Sequence, residues 1–371
     1  MPTSILYILN IEDNVEFKCG GGIYIVSITL SQIIKKPKTI TFEVTRHCRY
    51  HCSHCRSAAI EKNDDLTTSQ CKKILKAVAK YTKCSLIFSG GEPMERKDIY
   101  ALIEYAASLK LKPILATCGY FLNEKSINKL KKAHLSAFAF SLDGSLPQTH
   151  DFLRQSDSSF EQILNAAKIA RQSRIRFQIN STITRYNFTE INAIAELAGS
   201  IGAVSFNPFI IVPSPLTKKN PDLLLDPVEY ETILNQLLEL KLNSKIKIYV
   251  TCGPSFARIT QQSDAEKRLH VANGCLGGDG FGFISYKGDV QTCAFLNISA
   301  GNLIKEKFNF AAVWQNSEFL NKIRDRSAFT GSCFCCDFRD ICGGCRAKAL
   351  AASGDFLASD PACSYSSDEK K

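Results

Sequence analysis

The sequence predicts an α/β fold: a partial (β/α)6, TIM-like barrel of parallel strands, followed by a small C-terminal domain held by metal. Three observations carry this expectation. Strand-sized apolar runs alternate with helical patterns six times between residues 39 and 211, and parallel neighbours need crossover helices. That alternation stops near residue 251. Of the 16 cysteines, eight lie from Cys275 onward. Alternation alone leaves open whether such a sheet closes fully, as an eight-stranded barrel does, but six units make an incomplete one. At roughly 150 residues per domain, a chain of 371 residues allows two or three domains. The expected division is a preamble over 1–38, a barrel with its linker over 39–250, and a cysteine-rich domain over 251–371.

Residues 1–38 contain a Gly20-Gly21-Gly22 break, a β-rich run over 23–30 and a Lys35-Lys36-Pro37-Lys38 boundary, which reads as a hairpin leaning on the barrel. Strands are expected over 39–44, 85–88, 113–117, 137–141, 176–180 and 203–207. Helices are expected over 68–81, 97–108, 124–132, 159–171 and 189–201. Pro213, Pro215 and Pro221 mark irregular chain before a helix over 227–240. Short strands over 281–285 and 290–291 flank Gly288-Asp289, a hairpin signal, and a last helix is expected over 344–352. Loops after strand C-termini are where a site belongs.

Composition excludes several function classes. Hydrophobic residues at 45% and charged residues at 22% do not describe a disordered or collagen-like chain. No apolar run reaches the ~18 residues of a membrane span, and the N-terminus lacks a signal peptide's basic start and cleavage site. A cytoplasmic protein with no membrane partner is expected. The formal charge of +10 is scattered over Lys35-Lys36, Lys72-Lys73, Lys131-Lys132 and Lys218-Lys219 and forms no basic arm, so a nucleic-acid partner is not expected. Closely spaced cysteines in such a chain point to metal rather than disulfides.

Directly after the first expected barrel strand stands Cys48-Arg49-Tyr50-His51-Cys52-Ser53-His54-Cys55. Three cysteines at these spacings can wrap one face of an iron–sulfur cube and leave one iron without a protein ligand. Alternatively, His51 or His54 completes a zinc knot. The next strand ends in Ser89-Gly90-Gly91-Glu92-Pro93, where paired glycines allow close backbone approach and Glu92 offers an acceptor for an ammonium group. Alone, Gly-Gly-Glu-Pro is a plain turn; one strand after the cysteine loop it is a strong signal.

On these motifs the sequence resembles the radical S-adenosylmethionine (radical SAM) superfamily, from about residue 39 to 207 and beyond. The resemblance implies an enzyme in which Cys48, Cys52 and Cys55 hold a 4Fe–4S cluster whose open iron is chelated by SAM. Gly90, Gly91 and Glu92 would contact the SAM amino group. One-electron reduction, by a low-potential donor such as ferredoxin or flavodoxin, would then yield a 5′-deoxyadenosyl radical that abstracts hydrogen from the substrate. Ser141-Leu142-Asp143-Gly144 also matches a common element, placing Ser141 and Asp143 near the SAM ribose or carboxylate, although a simple turn explains Asp143-Gly144 equally well. Asn180 and Thr182 are further pocket candidates.

Farther along, Cys275, Gly288, Cys293, Cys333-x2-Cys336-x5-Cys342-x2-Cys345 and Cys363 resemble the SPASM extension, which carries auxiliary 4Fe–4S clusters. Two residues between Cys342 and Cys345 depart from the usual three. The resemblance implies one set of Cys275, Cys293 and Cys345 with Cys252, distant in sequence, as fourth member, and a second of Cys333, Cys336, Cys342 and Cys363. Cys335 is then an extra, and Cys19, Cys71, Cys84 and Cys118 ordinary buried thiols. By spacing alone, a zinc ribbon is the alternative.

The stretches from Cys52 to Ala59, Gly274 to Gly280 and Cys342 to Cys363 look like the radical SAM enzymes of tetrapyrrole biosynthesis, which remove acetate groups or decarboxylate propionates. A small-molecule tetrapyrrole is therefore the expected substrate, with Arg56 and Arg346 as candidate partners for carboxylates or tuners of a cluster. A SPASM maturase of a ribosomally made peptide is the second reading. A zinc-stabilised nucleic-acid-binding protein is a distant third, since no basic stripe with aromatic platforms is present.

Overall fold

The computed structural model describes residues 34–57, 64–263 and 274–365, together with the backbones of strands β1 (Asn14–Cys19) and β2 (Gly22–Ser27). These two strands form an antiparallel hairpin, running from Asn14 opposite Ser27 to Cys19 opposite Gly22. The expected hairpin is thus present within a unit that ends at Lys35.

In the second unit, the expected strands appear as β3 (Thr39–Thr45), β4 (Ser85–Gly90), β5 (Lys112–Thr117), β6 (Ala137–Ser141), β7 (Phe177–Ile183) and β8 (Ser205–Ile210), each parallel to the next. The crossovers contain α1 (Thr68–Tyr81), α2 (Ile99–Ser108), α3 (Glu124–Lys132), α4 (Pro147–Arg154), α5 (Ser159–Gln172) and α6 (Ile191–Ile201). Local chemistry sets their ends. Thr67 caps α1, accepting from Gln70 N while the Gln70 side chain returns the bond, a reciprocal pairing that satisfies two orphan donors. Gly202 ends α6 at φ 96°. The apolar face of α1 (Cys71, Ile74, Leu75, Val78) is buried, as are Ile40, Phe42, Leu86 and Phe88 of the sheet.

Two features extend this expectation. The sheet runs β12-β11-β10-β3-β4-β5-β6-β7-β8-β9, where β9 is Lys247–Ile248, β10 Phe281–Ile284, β11 Asp289–Gln291 and β12 Gly301–Asn302. The expected hairpin over 281–291 is present, but β10 also lies parallel to β3, with Phe281 opposite Thr39 and Ile284 opposite Phe42. The sheet therefore has two ends and crosses the expected boundary at residue 251, and residues 36–371 form one compact unit. The second feature is α4, which occupies the loop after β6, where the sequence reading expects no helix.

Gly282 in β10 shows how tightly the join is made: a Cβ there would stand 2.8 Å from Trp314 Cζ3. Trp314 is fully buried and is the chain's single tryptophan. Gly282→Ala should cost about 1–3 kcal/mol by overpacking. Denaturant titration, with a red-shifted Trp314 emission in the folded baseline, checks this; unchanged stability and emission would show the join to be loose.

Candidate functional site

The C-terminal ends of β3–β7 assemble the first part of the site. Residues 46–57 leave β3 as a loop without strand or helix. Cys52 is buried, Cys48 and Cys55 partly so, and the three thiols are electrostatic neighbours. Burial pushes the Cys48 thiol up to about 12 and Cys52 in the same direction. Left to themselves, Cys48 and Cys52 stay protonated, and their charged form needs a cationic partner. Aromatic rings wall the loop: Arg49 lies 3.9 Å from the Tyr120 ring centre, and Tyr50 packs edge-on to Tyr120.

Gly90 and Gly91 are also required by local packing. A Cβ on Gly90 would lie 2.3 Å from Thr45 O, and one on Gly91 2.2 Å from His47 O. The β4 turn is thus pressed against the start of the cysteine loop, with Gly91 N donating to Thr45 O and Glu92 N to His47 O. The Glu92 carboxylate is buried and engaged. It accepts from Thr117 Oγ1 at 2.8 and 2.9 Å, Cys118 N at 2.8 Å and Met94 N at 3.0 Å. Burial raises its pKa against those donors. Cys118, expected to be an ordinary buried thiol, neighbours both Glu92 and Cys48. Cys71 and Cys84 are ordinary core thiols as expected, whereas the Cys19 side chain lies outside the described residues.

Asp143 is not open to a ligand. It is fully buried after β6; Oδ1 accepts from Thr182 N at 2.7 Å, and Oδ2 lies 2.7 Å from Arg154 Nε and 3.3 Å from His54 Nε2. Burial is the largest single influence and pushes its pKa up, but the Arg154 guanidinium, the two neighbouring histidines and the Thr182 N–H together outweigh it and hold the carboxyl below the usual carboxylate range. His54, lowered to about 4 by burial, is a neutral ring at this junction. Arg154 also reaches back, with Nη1 3.7 Å from Cys52 Sγ. Asp143, expected either beside SAM or in a simple turn, is held by Arg154, His54 and Thr182 N and so ties the cysteine loop to β6 and β7. Sequence reading missed Arg154, and the αL cap at Gln155 that ends α4 after it. Ser141 stands partly exposed at the end of β6, and Asn180 opposes it on β7. Of the two arginines flagged by sequence, Arg56 is taken by Glu43 at 2.8 Å. Arg346 is buried, donating to Phe356 O and Ala358 O.

Two further cysteine groups form in the C-terminal segment. Cys252, Cys275, Cys293 and Cys345 are mutual electrostatic neighbours, and burial raises every one. Cys333, Cys336, Cys342 and Cys363 line a second, shared space with Arg258 and Asp360. Gly343 and Gly344 divide the groups: at φ 73° and 55° they adopt the left-handed region twice in succession, a turn that sends Cys342 and Cys345 to different groups across two intervening residues. Asp360 ties the division, accepting from Cys345 N at 2.6 Å. Among the described residues no three His, Cys, Asp or Glu side chains close on a single-ion site.

A model of the radical SAM superfamily matches residues 42–198. The AdoMet-dependent heme synthase of Methanosarcina barkeri is 35% identical over 89% of this chain and 97% of its own length. The chain belongs to the radical SAM superfamily. A second AdoMet-dependent heme synthase, from Nitratidesulfovibrio vulgaris, is 33% identical over 88% of this chain and 92% of its own. Among solved structures, Streptococcus suis SuiB bound to precursor peptide SuiA superposes at TM-score 0.72 with 17% identity, over 90% of this chain and 77% of that one. That likeness shows the fold: a partial barrel with a C-terminal extension.

As a radical SAM enzyme, the protein uses SAM and a 4Fe–4S cluster. Its three-thiol loop fits that group by donor chemistry, being three neighbouring sulfur donors, with Arg154 Nη1 beside the buried Cys52 Sγ. The Arg154–Asp143 pair can be tested directly. Arg154→Gln should cost about 3–5 kcal/mol in urea unfolding, because it strands a buried carboxylate. Arg185→Gln, which breaks a 2.7 Å pair with Glu229 on the surface, should cost at most about 1 kcal/mol. Equal losses would contradict the anchor role.

Proposed function

We propose that the protein is a haem-forming radical SAM enzyme acting on an iron-porphyrin that carries carboxylate side chains. The observation that carries this reading is the extent of the likeness to heme synthases. It spans 97% of the Methanosarcina protein, far beyond the 42–198 segment common to the superfamily. Cys48, Cys52 and Cys55 hold the SAM cluster. Cys252, Cys275, Cys293 and Cys345 hold one auxiliary 4Fe–4S cluster, and Cys333, Cys336, Cys342 and Cys363 the other. Gly90, Gly91 and Ser141 line the SAM site through backbone and hydroxyl groups, while Glu92 clamps the Gly-Gly turn to β5.

When bound, SAM and its cluster supply a hydrogen-abstracting 5′-deoxyadenosyl radical, and the auxiliary clusters a one-electron acceptor. The protein's own contribution is positioning and shielding. Buried Glu92, Asp143 and Arg154 fix the loop ends, and the rings of Tyr50, Tyr120 and Phe121 wall it. A propionate becomes a vinyl group by losing one hydrogen atom, one electron and CO2. A ferredoxin or flavodoxin of the cytoplasm serves as low-potential donor.

The likeness to SuiB favours a second reading, a peptide maturase, at the level of fold alone. Anaerobic, reduced holoenzyme given SAM and iron-coproporphyrin III should release 5′-deoxyadenosine and a porphyrin lighter by the elements of formic acid per side chain. An unchanged porphyrin, with SAM cleaved only in the presence of a peptide, would replace the first reading by the second.

A further inference from the structure

A cavity of about 360 Å³ opens beside the C-terminal end of β3. Flat and apolar surface comes from Tyr286, Phe295, Pro213 and Pro215. Its position is telling: Arg46 and Arg56 bracket the Cys48–Cys55 loop in sequence, and Phe295 lies two residues past Cys293. The cavity therefore borders both the SAM-site loop and the first of the C-terminal cysteine groups. Its volume falls in the range of small-molecule sites.

The charges on its walls are unequal in availability. Glu43 is spent, accepting from Arg56 at 2.8 Å and from Ser57 Oγ and Tyr286 N at 3.4 Å. Asp289 is spent too, accepting from Ser285 Oγ and Ser299 Oγ at 3.1 Å and Asn302 Nδ2 at 3.0 Å. Two cations remain. Arg46 is only 3.5 Å from Glu43, and its Nε is buried with no hydrogen-bond partner. Lys287 is half exposed and meets Asp64 at 2.9 Å, a surface pair of small net worth that an incoming carboxylate can displace. Both cations lie over the same ring, 4.8 and 5.3 Å from the centre of Tyr286.

We propose that Arg46 and Lys287 are the carboxylate clamp of the substrate site. A flat macrocycle lies against Tyr286 and Phe295, and two of its peripheral carboxylates pair with these cations; the inference rests on the tetrapyrrole reading above. Arg46, the more enclosed, makes the charge-assisted bond that fixes orientation, and Lys287 closes the rim.

Titration of iron-coproporphyrin III into anaerobic holoenzyme, followed by its Soret shift, tests the clamp. Lys287→Gln and Arg46→Gln should each raise Kd about tenfold, as expected for loss of one charge-assisted pair. Lys287→Glu should raise it further, Lys287→Arg should restore it, and added salt should narrow every gap. Lys287 is exposed, so its series reports binding and not folding, and native Trp314 emission checks this in each variant. If wild-type protein binds iron-coproporphyrin III and both Gln variants stay within about twofold of it, the clamp is overturned while the tetrapyrrole reading stands. If wild-type protein does not bind the porphyrin, both fall together.

Discussion

Arg154 and Asp143 place opposite charges where water hardly reaches, and each offsets the cost of burying the other. Leaving one such charge unpaired costs several kcal/mol, so the pair fixes everything attached to it. Arg154 comes from the end of α4 and touches Cys52 Sγ; Asp143 comes from the end of β6 and holds β7 through Thr182 N. The cysteine loop has no regular structure of its own, and its position is set by this pair on one side. On the other, the Gly90-Gly91 turn does the same work sterically, with Glu92 binding β4 to β5. The loop that carries the three closely spaced thiols is thereby held from two directions.

The C-terminal cysteines solve a related problem with backbone geometry. Cys342 and Cys345 stand three positions apart yet serve different groups, which two successive left-handed glycines make possible. Gly274 packs its backbone directly on Cys342 O, where a Cβ would come within 2.2 Å. The sheet then carries these groups toward the barrel: β10 leads from Cys275 to β3, and Cys293 follows β11. The chain around β10 and β11, from Ser285 to Asn297, shares a cavity with Arg46 and Arg56, which flank the cysteine loop.

Much of this was legible in the sequence. The six barrel strands and their helices followed from hydrophobic period, because strands buried in a parallel sheet read as short apolar runs and helices as 3.6-residue patterns. The cysteine loop was legible from spacing; the division of the later cysteines into two groups, with distant Cys252, came only from the family resemblance, because spacing alone fits a zinc ribbon as well. Three features were not. The match of β10 to β3 joins segments more than two hundred residues apart, and no local pattern records a partner. Helix α4 is short and polar, with Thr149, His150, Asp151 and Arg154 among its eight residues, so its period is weak. Asp143 was visible as a residue but not as an anchor, because its role depends on Arg154, His54 and Thr182 arriving from other elements.

The central claim is that the three cysteine sets bind three separate iron–sulfur clusters. Iron, sulfide and zinc analysis of anaerobically purified protein tests it most directly, alongside a Cys48/Cys52/Cys55→Ala variant and a Cys275/Cys293→Ala variant. The account predicts about twelve irons in the wild type, with matching sulfide and broad absorption at about 400 nm, and about four fewer in each variant. Colourless protein with stoichiometric zinc, or iron unchanged by either set of substitutions, would contradict it.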